Sequence, residues 1–191
     1  LPQIESIGLG PLLGCAEAAR TTFTDELEKH SWCGALIKAA ADWRRIGLGT
    51  ASREQLISLS ETHDDDTWGT VDWDDTWKYA TNPINNTVPL LRQIGDDLWE
   101  VLDIIADEAN WDISIRTLTS LKDIPLSPQQ AFRSAITMFL HGDPSLPTRN
   151  MFEFAIEKNP DDTITLGTYA FFLKSEGVDM DKAEEMYQRA I

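Results

Sequence analysis

The chain has 191 residues, 42% of them hydrophobic and 25% charged, a balance that buries a core without disulfide or metal staples. Thirty-two Asp and Glu stand against 16 Lys and Arg, and the net charge of −16 excludes nucleic-acid backbone or an anionic membrane as the main ligand. No apolar run reaches the ~20 residues of a membrane span.

The chain begins at Leu1 rather than Met, so a processed start is expected. Leu12-Leu13-Gly14-Cys15 resembles a bacterial lipobox, yet the basic start is missing and Glu5 interrupts the apolar stretch, so an irregular lead-in to a helix is expected. Two alanine-rich helices follow, over 16–30 and 32–46, with Gly47 placed to end the second. Ser52-Arg53-Glu54-Gln55 has capping-box spacing ahead of Leu56, Ile57 and Leu59. Residues 71–80, if helical, put Trp73 and Trp77 on one face with Asp72 and Asp75 beside it. Thr87-Val88-Pro89 opens a predicted long helix, because Leu90, Leu91, Ile94, Leu98, Val101, Leu102 and Ile105 keep the spacing of one buried helical face. A further helix is predicted over 111–121, and Trp99 and Trp111 are read as core. Ser127-Pro128-Gln129-Gln130 reads as cap, first-turn Pro and capping-box Gln, and helices over 128–141, 147–158, 162–176 and 180–191 complete the chain. Period-2 runs and hairpin turns are poor, so the fold class expected is all-α.

Charge is unevenly placed. Residues 61–112 hold fourteen acids and only Lys78 and Arg92 as bases, together with five of the seven tryptophans. Within it, the text from His63 to Trp77 supports three readings. Asp64, Asp66, Gly69, Val71 and Asp72 partly follow a calcium loop, but Trp68 falls where an oxygen ligand belongs and position 12 is Asp75 rather than Glu. A protein-binding hot spot of Asp64, Asp65, Asp66, Trp68, Asp72, Trp73, Asp74, Asp75 and Trp77 combines anchoring aromatics with carboxylates that steer a basic partner. The plainest reading is a solvated, capping loop whose tryptophans hold it to the core. The hot spot is carried forward, and no metal or other cofactor is expected.

Residues 161–191 resemble a tetratricopeptide repeat. Leu166-Gly167 match that family's Leu-Gly in the first helix, and Ala183, Tyr187 and Ala190 match the small, aromatic and small positions of the second, with one extra residue between Gly177 and Ala183. Asn159-Pro160-Asp161-Asp162 is similar to the turn between repeats. Ala155 and Phe152 fall at the corresponding positions of a preceding repeat, which departs at Ile136 and Thr148. The resemblance covers about 128–191 and implies a helical-hairpin array with a peptide-binding groove, lined here by Thr168 and Phe171 with Phe172 near it; the plainer reading packs both phenylalanines in the interior. Two repeats are fewer than such arrays need, so either the helices before residue 128 act as divergent repeats or a cap, or, as expected here, further repeats follow Ile191. The resulting division is a helical, bundle-like part over 1–126 packed on the array over 127–191.

No Walker loop, GxGxxG, GxSxG or HExxH is present. His30, His63 and His141 are far apart, Asn85-Asn86-Thr87 is a lone sequon, and Cys33 with His30 lacks a third orienting group. Cys15 and Cys33 form no disulfide framework, so free thiols and a cytoplasmic location are expected. The expectation is therefore a protein-binding module rather than an enzyme. Its partner is a basic toxin or nuclease domain that it occludes as an inhibitor or immunity-type protein, or a peptide held in the repeat groove of a scaffold. A metal-regulated or catalytic helical protein is the remote alternative, and the oligomeric state is left open.

Overall fold

A computed structural model describes residues 9–29, 31–63, 69–84, 86, 88–142 and 145–191. Most of these are helical, as an all-α chain requires, and they form two compact units, Leu1–Arg45 with Gly49–Asp112 and Ile46–Leu48 with Ile113–Ile191. The division falls at Asp112/Ile113, upstream of residue 127, because the short helix and 3-10 turn before Pro128 pack with the later helices. Asp64, Asp65, Asp66 and Trp68, and with them the calcium reading, lie outside the described residues, as do His30, Asn85 and Thr87.

The first unit is organised about α2 (Trp32–Arg45), whose residues Cys33 to Ile37 and Ala39 to Trp43 are all buried. A helix buried all round must let neighbours approach on every side, and its alanines do so. α1 (Leu9–Glu28) comes closest at Gly34, where a Cβ would sit 2.9 Å from the Glu26 carbonyl oxygen. α3 (Arg53–Ser60) starts with the expected capping box: Ser52 accepts from the Gln55 N–H, and the Gln55 side chain accepts from the Ser52 N–H. A 3-10 turn, Glu61–His63, follows, then α4 (Trp73–Ala80), capped by Asp72.

The long helix predicted from Thr87 is a correction. The structure has an antiparallel hairpin there, β1 (Leu91–Gly95) and β2 (Leu98–Val101), and only then the short α5 (Asp103–Asp107). Asp96 and Asp97 make the turn, with Asp97 at φ +52. A bulge between Gln93 and Gly95 adds a residue and breaks the alternation that marks a strand. The helix predicted over 111–121 is also shorter, α6 (Ile115–Ser120), because Ser114 caps it by accepting from the Thr117 N–H. Trp111 lies ahead of it.

In the second unit, a 3-10 turn (Leu121–Asp123) leads to two helical hairpins, α7 (Pro128–His141) with α8 (Ser145–Lys158) and α9 (Thr163–Glu176) with α10 (Met180–Arg189). Ser127 and Gln130 form the capping box ahead of α7. Gly142 and Gly177 end α7 and α9 in the left-handed region that a Cβ disfavours. The core is aromatic. Phe152 stacks on Tyr169 at 5.4 Å between centroids, and Phe172 meets Phe139 edge-on at 5.4 Å. Ile46 and Leu48 are buried here, and between them Gly47 (φ +83) passes so near α7 that a Cβ would lie 2.2 Å from Thr137 Oγ1.

Candidate functional site

In the first unit, the starts of α3 and α4 and the turn of the hairpin converge on Arg53. Its guanidinium donates to Asp74 at 2.5 Å, its backbone N–H reaches Asp97 Oδ1 at 3.4 Å, and it lies 5.1 Å above the Trp77 ring. Asp72 caps α4 by accepting from the N–H groups of Asp74 and Asp75. Asp72, Asp74, Asp75, Asp96 and Asp97 are all exposed; Asp74 meets the guanidinium and Asp97 the backbone N–H of Arg53, so the acidic start of α4 and the acidic turn of the hairpin meet at this one residue. Each gains hydration by being exposed, and their mutual repulsion is the part that a cationic partner relieves.

The tryptophans of this region divide. Trp77, proposed from the sequence as part of the interface, is a correction: it is 6% exposed and meets Trp99 edge-on at 4.9 Å, so it anchors α4 to the hairpin instead of facing a partner. Its indole N–H is buried with no acceptor among the described residues. Trp73 is half-buried and packs edge-on against Trp32 at 5.4 Å, and Trp32 donates to the Gly69 carbonyl at 3.0 Å. Trp99 is half-buried rather than core, and donates to Asp97 Oδ1 at 3.3 Å.

A second cluster escaped the sequence reading. Asp42 is completely buried in α2. It accepts the Trp111 indole N–H at 2.9 Å and pairs with Arg45 at 3.2 Å and His63 Nε2 at 3.3 Å. Burial pushes its pKa up to about 6, against the pull of the Trp111 and Arg45 hydrogen bonds and of Lys38. Lys38 and Arg45 also lie 5.6 and 5.5 Å over the Trp111 ring. The His63 side chain is only 6% exposed, which makes it a tie between the 3-10 turn and α2. Trp111 also lines, with Phe23, Leu27, Ile104 and Ile105, a pocket of about 270 Å³ at which Arg20 pairs with Glu108. Cys33 is a free, buried thiol pushed by burial to about 12, which leaves it unreactive at neutral pH.

In the second unit, Phe171 is 55% exposed although its ring touches Phe139 edge-on at 6.1 Å, and Ile164, on the same side of α9, is 67% exposed. Thr168 lies between them, half-buried, and donates to the Ile164 carbonyl at 2.7 Å. Phe172, expected near the groove, is instead 1% exposed and part of the core. Gly167 lies 3.9 Å, measured from where its Cβ would be, from the Ala190 Cβ, and Phe152, Ala155 and Ala183 are buried, whereas Tyr187 is half-buried and Met186 fills the interior beside it.

Among the described residues no group of three or more His, Cys, Asp or Glu is arranged to hold a metal ion, and no helix is long and apolar enough to cross a membrane. No family model matches the sequence, and no curated protein or solved structure matches it significantly.

Proposed function

We propose that this chain is a non-enzymatic protein-binding module whose acidic face engages a basic protein, in the manner of an inhibitor or immunity-type protein that occludes a toxin or nuclease domain. The observation that carries the reading is that Arg53 joins two exposed acidic segments, Asp72, Asp74 and Asp75 at the start of α4 and Asp96 and Asp97 at the hairpin turn, through its contacts to Asp74 and Asp97. Such a field raises the association rate of a cationic partner and is screened by salt. The half-buried Trp73 beside it supplies apolar area at the same surface.

The test is capture from a nuclease-treated extract with the parent chain and with Asp74→Asn/Asp75→Asn in parallel. A basic protein held by the parent, released by salt and lost from the variant is the expected result. Partners indifferent to both salt and substitution exclude the reading.

The exposure of Phe171 and Ile164 favours a second reading, in which α9 presents a tetratricopeptide-like groove to a peptide and the acidic face only keeps the protein soluble. In that case Phe171→Ala, and not the aspartate substitutions, abolishes capture.

A further inference from the structure

We infer that the open edge of β1 takes up an extended, Lys- or Arg-bearing segment of a partner protein as an added strand. The inference rests on the acidic-face reading above and names how the partner is held. Trp99 donates its N–H to the Ala51 carbonyl at 2.8 Å and accepts the Ala51 N–H at 3.1 Å, so both of its backbone groups turn away from β1. In an antiparallel pair, facing residues alternately exchange both hydrogen bonds or none. Gln93 faces Trp99, so this pair exchanges none and the Gln93 N–H and C=O point to the outer edge. Gln93 is exposed, and no backbone group of the described residues bonds it from that side.

Sheet edges of soluble proteins are commonly guarded by lysine or proline. β1 has neither, and its Arg92 is tied across the hairpin to Glu100. Beside the edge, Ile94 and Leu98 are 45% and 43% exposed, an apolar footing for alternate side chains of an added strand. The charges select the occupant. Asp96 and Asp97 stand exposed at the turn that ends β1, while Arg92 on β1 itself is already paired with Glu100. A cationic strand is attracted here, and a second copy of this chain, itself at −16, is repelled.

The experiment titrates the full chain with a fluorescein-labelled, N-acetylated octapeptide of alternating Lys and Val, at 150 mM salt, and repeats it with alternating Ser and Val. Gln93→Pro removes the outward donor without touching a ladder hydrogen bond, and Ile94→Lys places a guard charge while keeping every backbone group. Both variants are expected to weaken the Lys-Val peptide at least tenfold with an unchanged thermal midpoint, and amide shifts are expected at Gln93 and Ile94. Equal binding by the parent and both variants, or no binding by the parent, overturns the edge; if Asp74→Asn/Asp75→Asn still loses its captured protein, the acidic-face reading stands without it. Ser-Val binding as tight as Lys-Val overturns the choice of a cationic partner. A dimer in sedimentation that Gln93→Pro dissolves gives the edge to a second copy and overturns the proposal.

Discussion

Asp42 Oδ1 accepts the indole N–H of Trp111 at 2.9 Å from the fully buried centre of α2. The same carboxylate meets Arg45 and His63, so one side chain ties the segment after α5 and the 3-10 turn to the central helix. Removing one member of a buried pair leaves the others uncompensated. Asp42→Ala is expected to destabilise the first unit by about 3 kcal/mol in denaturant unfolding, as for other broken buried pairs. Asp42→Asn, which keeps an acceptor for Trp111, is expected to lose less.

The same residue gives a pH signature. Its folded pKa is raised to about 6 from 3.8, so the folded state holds the proton more tightly than the unfolded chain. Its contribution is therefore most favourable below the unfolded value and is lost as pH rises through 6, a span worth roughly 3 kcal/mol by linkage. The parent's unfolding free energy is expected to fall relative to that of Asp42→Asn as pH rises from about 4 to 6 and to run parallel to it outside that window. A constant difference across that window excludes the assignment.

Glu153 plays the corresponding part in the second unit. Its Oε1 accepts from Arg149 of its own helix at 3.0 Å, from the buried Tyr169 of α9 at 2.8 Å and from Lys182 of α10 at 2.6 Å. Burial acts to raise its pKa, but the hydrogen bonds from Lys182, Tyr169 and Arg149 outweigh it and hold it at about 2. A depressed carboxylate stabilises above its unfolded pKa, and the contribution is lost as pH falls from about 4.5 towards 2. Because the side chain is 38% exposed, solvent screens part of this, and Glu153→Gln is expected to cost about 1 kcal/mol at pH 7. The variant should also lose less stability than the parent between pH 4.5 and 2.5, measured by thermal unfolding.

What was legible in the sequence is what local chemistry decides. Ser52 and Ser127 each stand three residues ahead of a Gln, and both capping boxes formed. The hairpin was not legible, because Leu91, Leu98 and Val101 fit a helical stripe equally well and the bulge after Gln93 erases the period of two. The Asp42 cluster was invisible for another reason. A single Asp among alanines looks like a surface residue until α1, α3, α4, α5 and β2 are seen to enclose α2 on all sides. Trp77 was misread as interface because helical spacing places it with Trp73 but cannot show that the hairpin covers only Trp77.

Gly47 offers a test of close approach. A Cβ there would meet Thr137 Oγ1 at 2.2 Å and Thr137 Cβ at 3.1 Å, in backbone at φ +83. Gly47→Ala adds a clash to a strained conformation and is expected to destabilise by about 2–3 kcal/mol. Thr137→Ala in the same chain removes the Oγ1 clash but keeps the tight Cβ contact and the strain, so the double variant should recover part of the loss and retain at least about 1 kcal/mol of it. Full recovery, read by urea unfolding, means that the left-handed backbone costs nothing here.

Asp72 must be separated from its neighbours before any binding experiment is interpreted. It caps α4, accepting from the Asp74 and Asp75 N–H groups at 3.0 and 3.1 Å, whereas among the described residues the side chain of Asp75 caps no helix and Asp74 meets Arg53 across the surface. Asp72→Ala is expected to destabilise the first unit by about 1 kcal/mol, the usual cost of a lost N-cap. Asp72→Asn keeps an acceptor of equal capping strength and should be nearly neutral, and Asp74→Asn, an exposed pair, should change stability by less than about 0.5 kcal/mol. With stability unchanged in the Asn series, a fall in association rate that vanishes at high salt belongs to the lost charge itself. An Asn series as destabilised as Asp72→Ala would instead show that the aspartates are there to hold α4 and not to attract a partner.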